Sequence, residues 1–403
     1  MTKKVCLTTL EFPPDVGGVG ESVQRIAHML INLGYEVHVA VFRAVFRKER
    51  QMAQDGEFRR SHYQTTARKG IIVHRLFPAV RSTSAKEQDY ICDLHGLLQQ
   101  IHQKYQFDLF HAFFINEMGF LTTLLAKEQD LPVINSIRGA DLHKHIFNPQ
   151  QLGQIKWTLE NSDWTTFVSR DLMKRARIIA PTIETKSSAF WNSIVPINLD
   201  NVTTPPKAEK LKGTLIGSVG RFRDKKGLEY LFDACQKLTT ESKLTLLLVG
   251  DFVAKEKEYW EREISNSGLA ENIIITGTVS REEALAYLTY MDIFAIPSLH
   301  DGCPNALLEA MLATLAIVGT NVDAIGEILE DRRDALLVNP YSSEELETAL
   351  RELIDRPELR KQLGMAAWKK VSSLNPFTEQ QNWEQVYRHV LTLPTSLPLP
   401  SMV

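Results

Sequence analysis

Two carboxylates, Asp301 and Glu309, flank a turn in Ser298-Leu-His-Asp-Gly-Cys-Pro-Asn-Ala-Leu-Leu-Glu309, with seven residues between them. Upstream lies a basic turn, Gly220-Arg-Phe-Arg-Asp-Lys-Lys-Gly227, directly after an apolar run. Carboxylates accept hydrogen bonds from hydroxyls, and Arg or Lys neutralises phosphate as charge develops on it. Together these residue types suit a ligand with a sugar at one end and a phosphate at the other. Glu309, beside apolar Leu307, Leu308 and Met311, can reach the two hydroxyls of a ribose from the first turns of a helix begun at Pro304. Asp301 can take sugar hydroxyls or brace its own turn, and the backbone of Gly302, Cys303, Pro304 and Asn305 can hold the same ligand. Composition does not choose among Arg221, Arg223, Lys225 and Lys226.

A second set lies in the first half. Gly17-Gly18-Val-Gly20 falls between an apolar run and a helical pattern, where glycine permits close backbone approach to a phosphate or sugar. It lacks the Gly-x-Gly-x-x-Gly order of the dinucleotide fingerprint. Asp108, His111, Arg138 and Asp141 stand at or just beyond strand-like runs and are cleft candidates, Arg138 as a catalytic residue and His111 and Asp141 for the acceptor side. Arg138 can meet a phosphate or an acidic acceptor, with Asp141 orienting it or binding a hydroxyl. His143, His145 and Asp141 form no closed metal-ligand set, so no metal site is expected.

The elements that must position these residues repeat one theme. Val5–Leu10, Glu21–Asn32 and Val37–Val41 read as strand, helix, strand, and Ile71–Val73, Leu109–His111, Val133–Asn135 and Trp164–Val168 continue the series. Thr214–Val219, Leu228–Lys237 and Leu244–Val249 start it again, followed by Ile273–Ile275, Ile293–Ile296 and Ala316–Val318. This alternation predicts an α/β protein with parallel sheets. At 403 residues the chain is long enough for two cores. The Pro-containing polar stretch from Asn198 to Gly213 reads as the joint, Phe377–Leu391 as a late amphipathic helix and Leu393–Val403 as an irregular tail. The domains expected are 1–200, 201–375 and a terminal segment 376–403.

A formal net charge of -3 gives no global signal for nucleic-acid binding, and none is expected as partner. Cys6, Cys92, Cys235 and Cys303 form no close pair, and Cys6 and Cys235 sit in apolar runs, which suits core thiols and a reducing, cytoplasmic setting. The apolar run near the start is too short for a secretory signal, and no run reaches the ~18 residues of a spanning helix. Arg43 to His62 mixes Arg43, Arg47, Lys48, Arg50, Arg59 and Arg60 with Val45, Phe46, Met52 and Phe58. That composition reads as an acceptor loop, as a patch for peripheral contact with the inner face of a membrane, or as a solvated excursion. The sequence is silent on oligomeric state.

Taken together these motifs resemble the retaining glycosyltransferase family 4, of GT-B architecture, over nearly the whole chain. The glycine loop at Gly17, the Gly220-Arg…Lys-Gly227 turn and the Pro297–Met311 segment match its signatures, as do Asp331–Pro340 and the helix around Trp383. The resemblance implies two Rossmann-like α/β/α domains facing each other across a cleft, the first for the acceptor and the second for the donor. It places phosphate contact on Arg221 and Lys226, sugar and reaction-centre contact on Asp301, and ribose contact on Glu309. It implies sugar transfer from a nucleoside-diphosphate donor to an acceptor hydroxyl, without a required metal or other cofactor. The sequence departs from the family pattern at Asp301, usually Glu, at Arg138, often His, and at Ala313-Thr314, usually a small residue then Gly. Two other readings stay open: another GT-B activity such as an epimerase or phosphorylase, and a catalytically weak nucleotide-sugar-binding partner protein.

Overall fold

A computed structural model describes residues 2–15, 17–43, 46–84, 86–194 and 204–392. The expected tail 393–403, Val45 and the first part of the expected joint lie outside the described residues, as do the side chains of Phe46, Arg47 and Lys48. The chain divides into two compact units, Met1–Trp191 with Phe377–Val403, and Asn192–Pro376.

Unit 1 begins with β1 (Lys4–Thr9), α1 (Gly18–Asn32), β2 (Glu36–Phe42), α2 (Phe46–Gln54), β3 (His62–Arg68) and β4 (Ile71–Phe77). It continues through α3 (Glu87–Tyr105), β5 (Leu109–Phe113), α4 (Glu117–Glu128), β6 (Val133–Ile137), α5 (Ala140–His143), α6 (Pro149–Asn161), β7 (Trp164–Phe167), α7 (Arg170–Ile179) and β8 (Ser187–Ala189). The strands form one sheet in the order β3-β4-β2-β1-β5-β6-β7-β8, parallel throughout except where β3 pairs antiparallel with β4. Val5 pairs with Val37 on one side and Leu109 on the other. These central strands are apolar on both faces because helices cover both faces. Val23, Ile26, Ala27 and Leu30 of α1 pack on one, and Leu94, Leu98 and Ile101 of α3 with Leu121 and Leu125 of α4 on the other.

Unit 2 holds β9 (Thr214–Val219), α8 (Leu228–Thr239), β10 (Leu244–Val249), α9 (Lys257–Asn266), β11 (Ile273–Ile275), α10 (Arg281–Leu288), β12 (Ile293–Ile296) and α11 (Asn305–Leu312). After these come β13 (Ala316–Thr320), α12 (Asp323–Ile328), β14 (Leu336–Val338), α13 (Ser343–Asp355) and α14 (Pro357–Val371). Its sheet is wholly parallel, in the order β11-β10-β9-β12-β13-β14. The last helix, α15 (Pro376–Thr392), buries Trp383, Val386, Tyr387 and Val390 in the core of unit 1.

Each sheet has a point where the chain changes direction. It leaves β1 for β2 on one side and later returns to β5 on the other; in unit 2, β9 stands between β10 and β12 in the same way. Loops at the carboxyl ends of such neighbouring strands splay apart and leave a crevice, where α/β proteins bind ligands. Among the described residues no helix is long and apolar enough to cross a membrane. The segment from Arg43 to His62, read from its charges as an excursion or acceptor loop, contains α2. There Arg59 pairs with the buried Glu49 at 2.8 Å, so part of that charge is internal rather than solvated.

Candidate active site

In unit 2 the two sequence motifs meet at the switch point. Residues 220–227 follow β9 and residues 297–304 follow β12. The two loops are joined by backbone as well as side chains: the Leu299 N–H donates to the Lys225 carbonyl at 2.9 Å. Gly227 has φ +61, and a Cβ there would collide with the Pro297 carbonyl oxygen. Both the left-handed turn and the close approach therefore require glycine. Lys226 Nζ donates to Asp301 Oδ2 at 2.8 Å, with both side chains mostly buried. Burial alone would raise the Asp301 carboxyl, but the Lys226 and Lys225 ammonium groups outweigh it and hold it at about 2. Burial pushes the Lys225 ammonium down, against the pull of Asp301.

Arg221 is exposed and has no ion pair among the described residues. Arg223 is exposed too, whereas Lys225 is half-buried. The four basic residues are thus unequal: one cation already holds a carboxylate and another is open to a ligand.

Asp301 is braced from behind. Its backbone N–H donates to Asp323 Oδ2 at 3.0 Å, and its carbonyl accepts from Ala324 N–H at 3.3 Å. Pro304 caps α11 with extended backbone, and Asn305 Oδ1 accepts from Asn192 Nδ2 at 3.0 Å. Gly302 and Pro304 are buried, and Cys303 is half-buried. On α11, Leu307, Leu308 and Met311 are fully buried and leave Glu309 at the edge of the core. The Glu309 carboxylate is held by Arg281, whose Nε and Nη2 reach Oε1 at 3.1 and 3.0 Å. The motif reading missed Arg281. Its helix start is legible, since the Ser280 hydroxyl accepts from Glu283 N–H in the usual capping pattern, but no spacing connects it to Glu309.

Unit 1 arranges its candidates otherwise. Gly17 caps α1, and a Cβ there would collide with the Glu11 carboxylate; Gly18 is exposed, with open space where its Cβ would be. The preceding loop is clamped by Asp15, which takes Arg43 and Arg75 at 2.9 Å each, while Arg75 also donates to the carbonyls of Phe12 and Pro13. This clamp too escaped the motif reading, because its members lie far apart in sequence.

Three expectations for this unit are corrected. Asp108 stands at the amino end of β5, where it accepts from Lys3 Nζ and Lys4 N–H, so it is at the wrong edge of the sheet for a strand-end ligand. His111 is fully buried, with Nδ1 on the Tyr387 hydroxyl and Nε2 on Ser136 Oγ, both at 2.7 Å. Both ring nitrogens are spent inside the core, and an acceptor has no path to them. Burial, then Arg138, pushes its imidazolium down to about 3. Asp141 is also fully buried. It accepts Ile115 N–H at 2.8 Å and Arg138 N–H at 3.3 Å, so it ties two strand-end loops together from within and presents no oxygen to a hydroxyl ligand. Arg138 is half-buried, its guanidinium 5.9 Å from the Phe113 ring centroid. His145 holds Gln151 at 2.7 Å.

Comparison with known proteins agrees with these two units. The family described as Glycosyltransferase Family 4 matches residues 16–181, and that described as Glycosyl transferases group 1 matches residues 203–370. A Bacillus subtilis protein named as a teichuronic acid biosynthesis glycosyltransferase is 25% identical over 310 residues, 72% of this chain and 74% of that one. The structure of sucrose-phosphate synthase from Thermosynechococcus elongatus is similar with a TM-score of 0.80 at 18% identity, covering 97% of this chain and 100% of the other. Anabaena Alr3699/HepE in complex with UDP and glucose is similar at 0.73 and 15% identity, covering 96% and 100%.

Proposed function

Because the chain belongs to the group 1 glycosyltransferases of GT-B fold, we propose that it moves a sugar from a nucleoside-diphosphate donor to an acceptor hydroxyl, with retention at the anomeric carbon. One observation carries the reading: Lys226 and Asp301 pair at the β9–β12 switch point, beside the exposed Arg221. A diphosphate arriving there meets two cations. It draws Lys226 from Asp301, and the released carboxylate accepts hydroxyls of the sugar.

In the transfer, the bond from the anomeric carbon to the β-phosphate oxygen breaks as the bond to the acceptor oxygen forms on the same face. The acceptor proton passes to the departing phosphate oxygen. Arg221 and Lys226 stabilise the negative charge that grows there. Both reactants are held in reacting geometry, which removes much of the entropic cost of the encounter. Glu309 takes the ribose, and the backbone from Gly302 to Asn305 borders the donor. That Anabaena HepE, of similar fold, is found in complex with UDP and glucose supports a nucleotide-sugar donor for this chain. The cations do the electrostatic work that a divalent ion does elsewhere, so activity persists in EDTA. Loss of activity that only a divalent ion restores would refute that part.

Calorimetric titration with UDP, GDP, ADP and TDP, repeated on Lys226→Ala, tests the reading. One diphosphate binds and the variant loses it. Folded wild-type protein that binds none of the four, with or without candidate acceptors, would favour a partner protein without turnover.

A further inference from the structure

Arg281 opens α10 just beyond the carboxyl end of β11, whereas Glu309 lies on the helix that follows β12. In the sheet β10 and β9 stand between those two strands. The ion pair therefore spans the strand ends from the sheet edge to the switch point. Within it the Glu309 side chain is 11% exposed and that of Arg281 48%.

A carboxylate that reads two neighbouring hydroxyls must keep its plane fixed, or each ligand bears the cost of ordering it. Packing of Leu307, Leu308 and Met311 fixes the helix but not the end of the Glu309 side chain. The Arg281 guanidinium anchors Oε1, with Nε donating to it at 3.1 Å and Nη2 lying 3.0 Å away, and so restrains the end of the side chain. An isolated surface ion pair contributes little to stability. This one joins a mostly buried carboxylate to a half-exposed guanidinium at the ligand end of the sheet.

We infer that Arg281 is a positioning residue for nucleoside recognition: it holds Glu309 so that the carboxylate reads the ribose hydroxyls of the donor. The inference rests on the ribose role of Glu309 proposed above. It makes the preference for a ribonucleotide over its 2′-deoxy counterpart depend on the residue that opens α10. Loss of one hydrogen bond to a charged group corresponds to about tenfold or more in affinity.

The test compares binding of UDP with dUDP, GDP with dGDP and ADP with dADP by calorimetry. Wild-type protein prefers the ribo form of the base that it binds by about tenfold. Arg281→Ala brings that ratio close to one at unchanged melting temperature, and Arg281→Lys restores part of it. If Arg281→Ala does not fold, Arg281→Gln carries the same comparison. A ratio unchanged in the Arg281 variants but lost in Glu309→Gln overturns the role of Arg281 and leaves the ribose reading standing. A ratio unchanged in Glu309→Gln, or no ribo preference in wild-type protein, overturns the ribose reading and this inference with it.

Discussion

Beyond the carboxyl ends of β9, β11 and β12, Lys226, Asp301, Arg281 and Glu309 form two ion pairs at the edge of the core, and Arg221 stands exposed nearby. Within β5 and beyond the carboxyl ends of β1 and β6, the corresponding polar residues turn inward. His111 bonds to Tyr387 and Ser136, Asp141 ties Ile115 to Arg138, and Asp15 clamps Arg43 and Arg75. The two sheets share a topology and a switch point, yet only the second concentrates charge where a small anionic ligand can exchange with an internal partner. The first spends its polar groups on holding loops. A switch point locates a crevice; its chemistry depends on which side chains remain exchangeable.

The sharpest way to break this contrast is Lys226→Ala. Loss of one preorganised donor to a developing charge costs about 3–4 kcal/mol, a factor of about 10² to 10³ in turnover. His111→Gln, which keeps a polar group in the core of unit 1, leaves turnover within about tenfold, because no step routes through it. Steady-state rates with the donor identified by calorimetry decide it, and comparable losses in the two variants would erase the distinction.

Acid separates the units next. Ten of the eleven histidines lie in unit 1, and only His300 lies in unit 2. His74 is buried in a chain in which His38 Nε2 meets Glu36, His38 Nδ1 meets His74, and His74 meets Thr65, each at 2.9 Å. Burial, then His38 and Lys104, pushes His74 down to about 3, and His111 stands at about 3 as well. Unfolded, both titrate near 6.5, so the unfolded chain binds more protons between about 6.5 and 3, and stability falls as pH drops through that window. Each histidine accounts for about 2 kcal/mol lost by pH 5. Asp301 has the opposite sign of charge: held at about 2 against 3.8, it stabilises unit 2 above about pH 4 and is lost only below that. Amide exchange at pH 7 and pH 5, corrected for intrinsic rates, should show the strands of unit 1 loosening first. Equal loosening in both units would contradict the assignment.

Smaller effects refine the picture. Glu309→Ala weakens diphosphate binding by about tenfold in calorimetry, the worth of one charged hydrogen bond. An unchanged affinity would remove Glu309 from the donor site. Smallest in stability is Gly18→Ala. Nothing lies within 4 Å of the added Cβ, so the melting free energy moves by no more than about 0.5 kcal/mol. A raised KM in that variant marks the loop as a surface approached by substrate, and unchanged kinetics would make it a plain turn.

Much of this was legible from the chain. The apolar runs at Thr214–Val219, Leu244–Val249, Ile273–Ile275 and Ile293–Ile296 are strands with the bounds read from sequence, because buried parallel strands are apolar on both faces. Cys6 and Cys235 are buried thiols as their surroundings suggested, and burial pushes the second up to about 12. The antiparallel strand β3 was not legible. Its residues His62–Arg68 are polar and largely exposed, and an edge strand with little to bury carries no apolar period. The helix α2 was hidden in the same way by its charges.

Residue type and spacing by themselves determined the α/β alternation, the two-core size, and the motifs holding Arg221, Lys226, Asp301 and Glu309. These are local properties, written in periodicity and in turn residues such as Gly227. Only the tertiary structure decided which polar groups are exchangeable. It set Lys226 against Asp301 across 75 positions and Arg281 against Glu309 across 28, and it enclosed His111 and Asp141. The physical reason is that burial and charge pairing depend on distances in space. A strand-end histidine and a strand-end lysine look alike in a sequence until the fold gives one a core and the other a carboxylate.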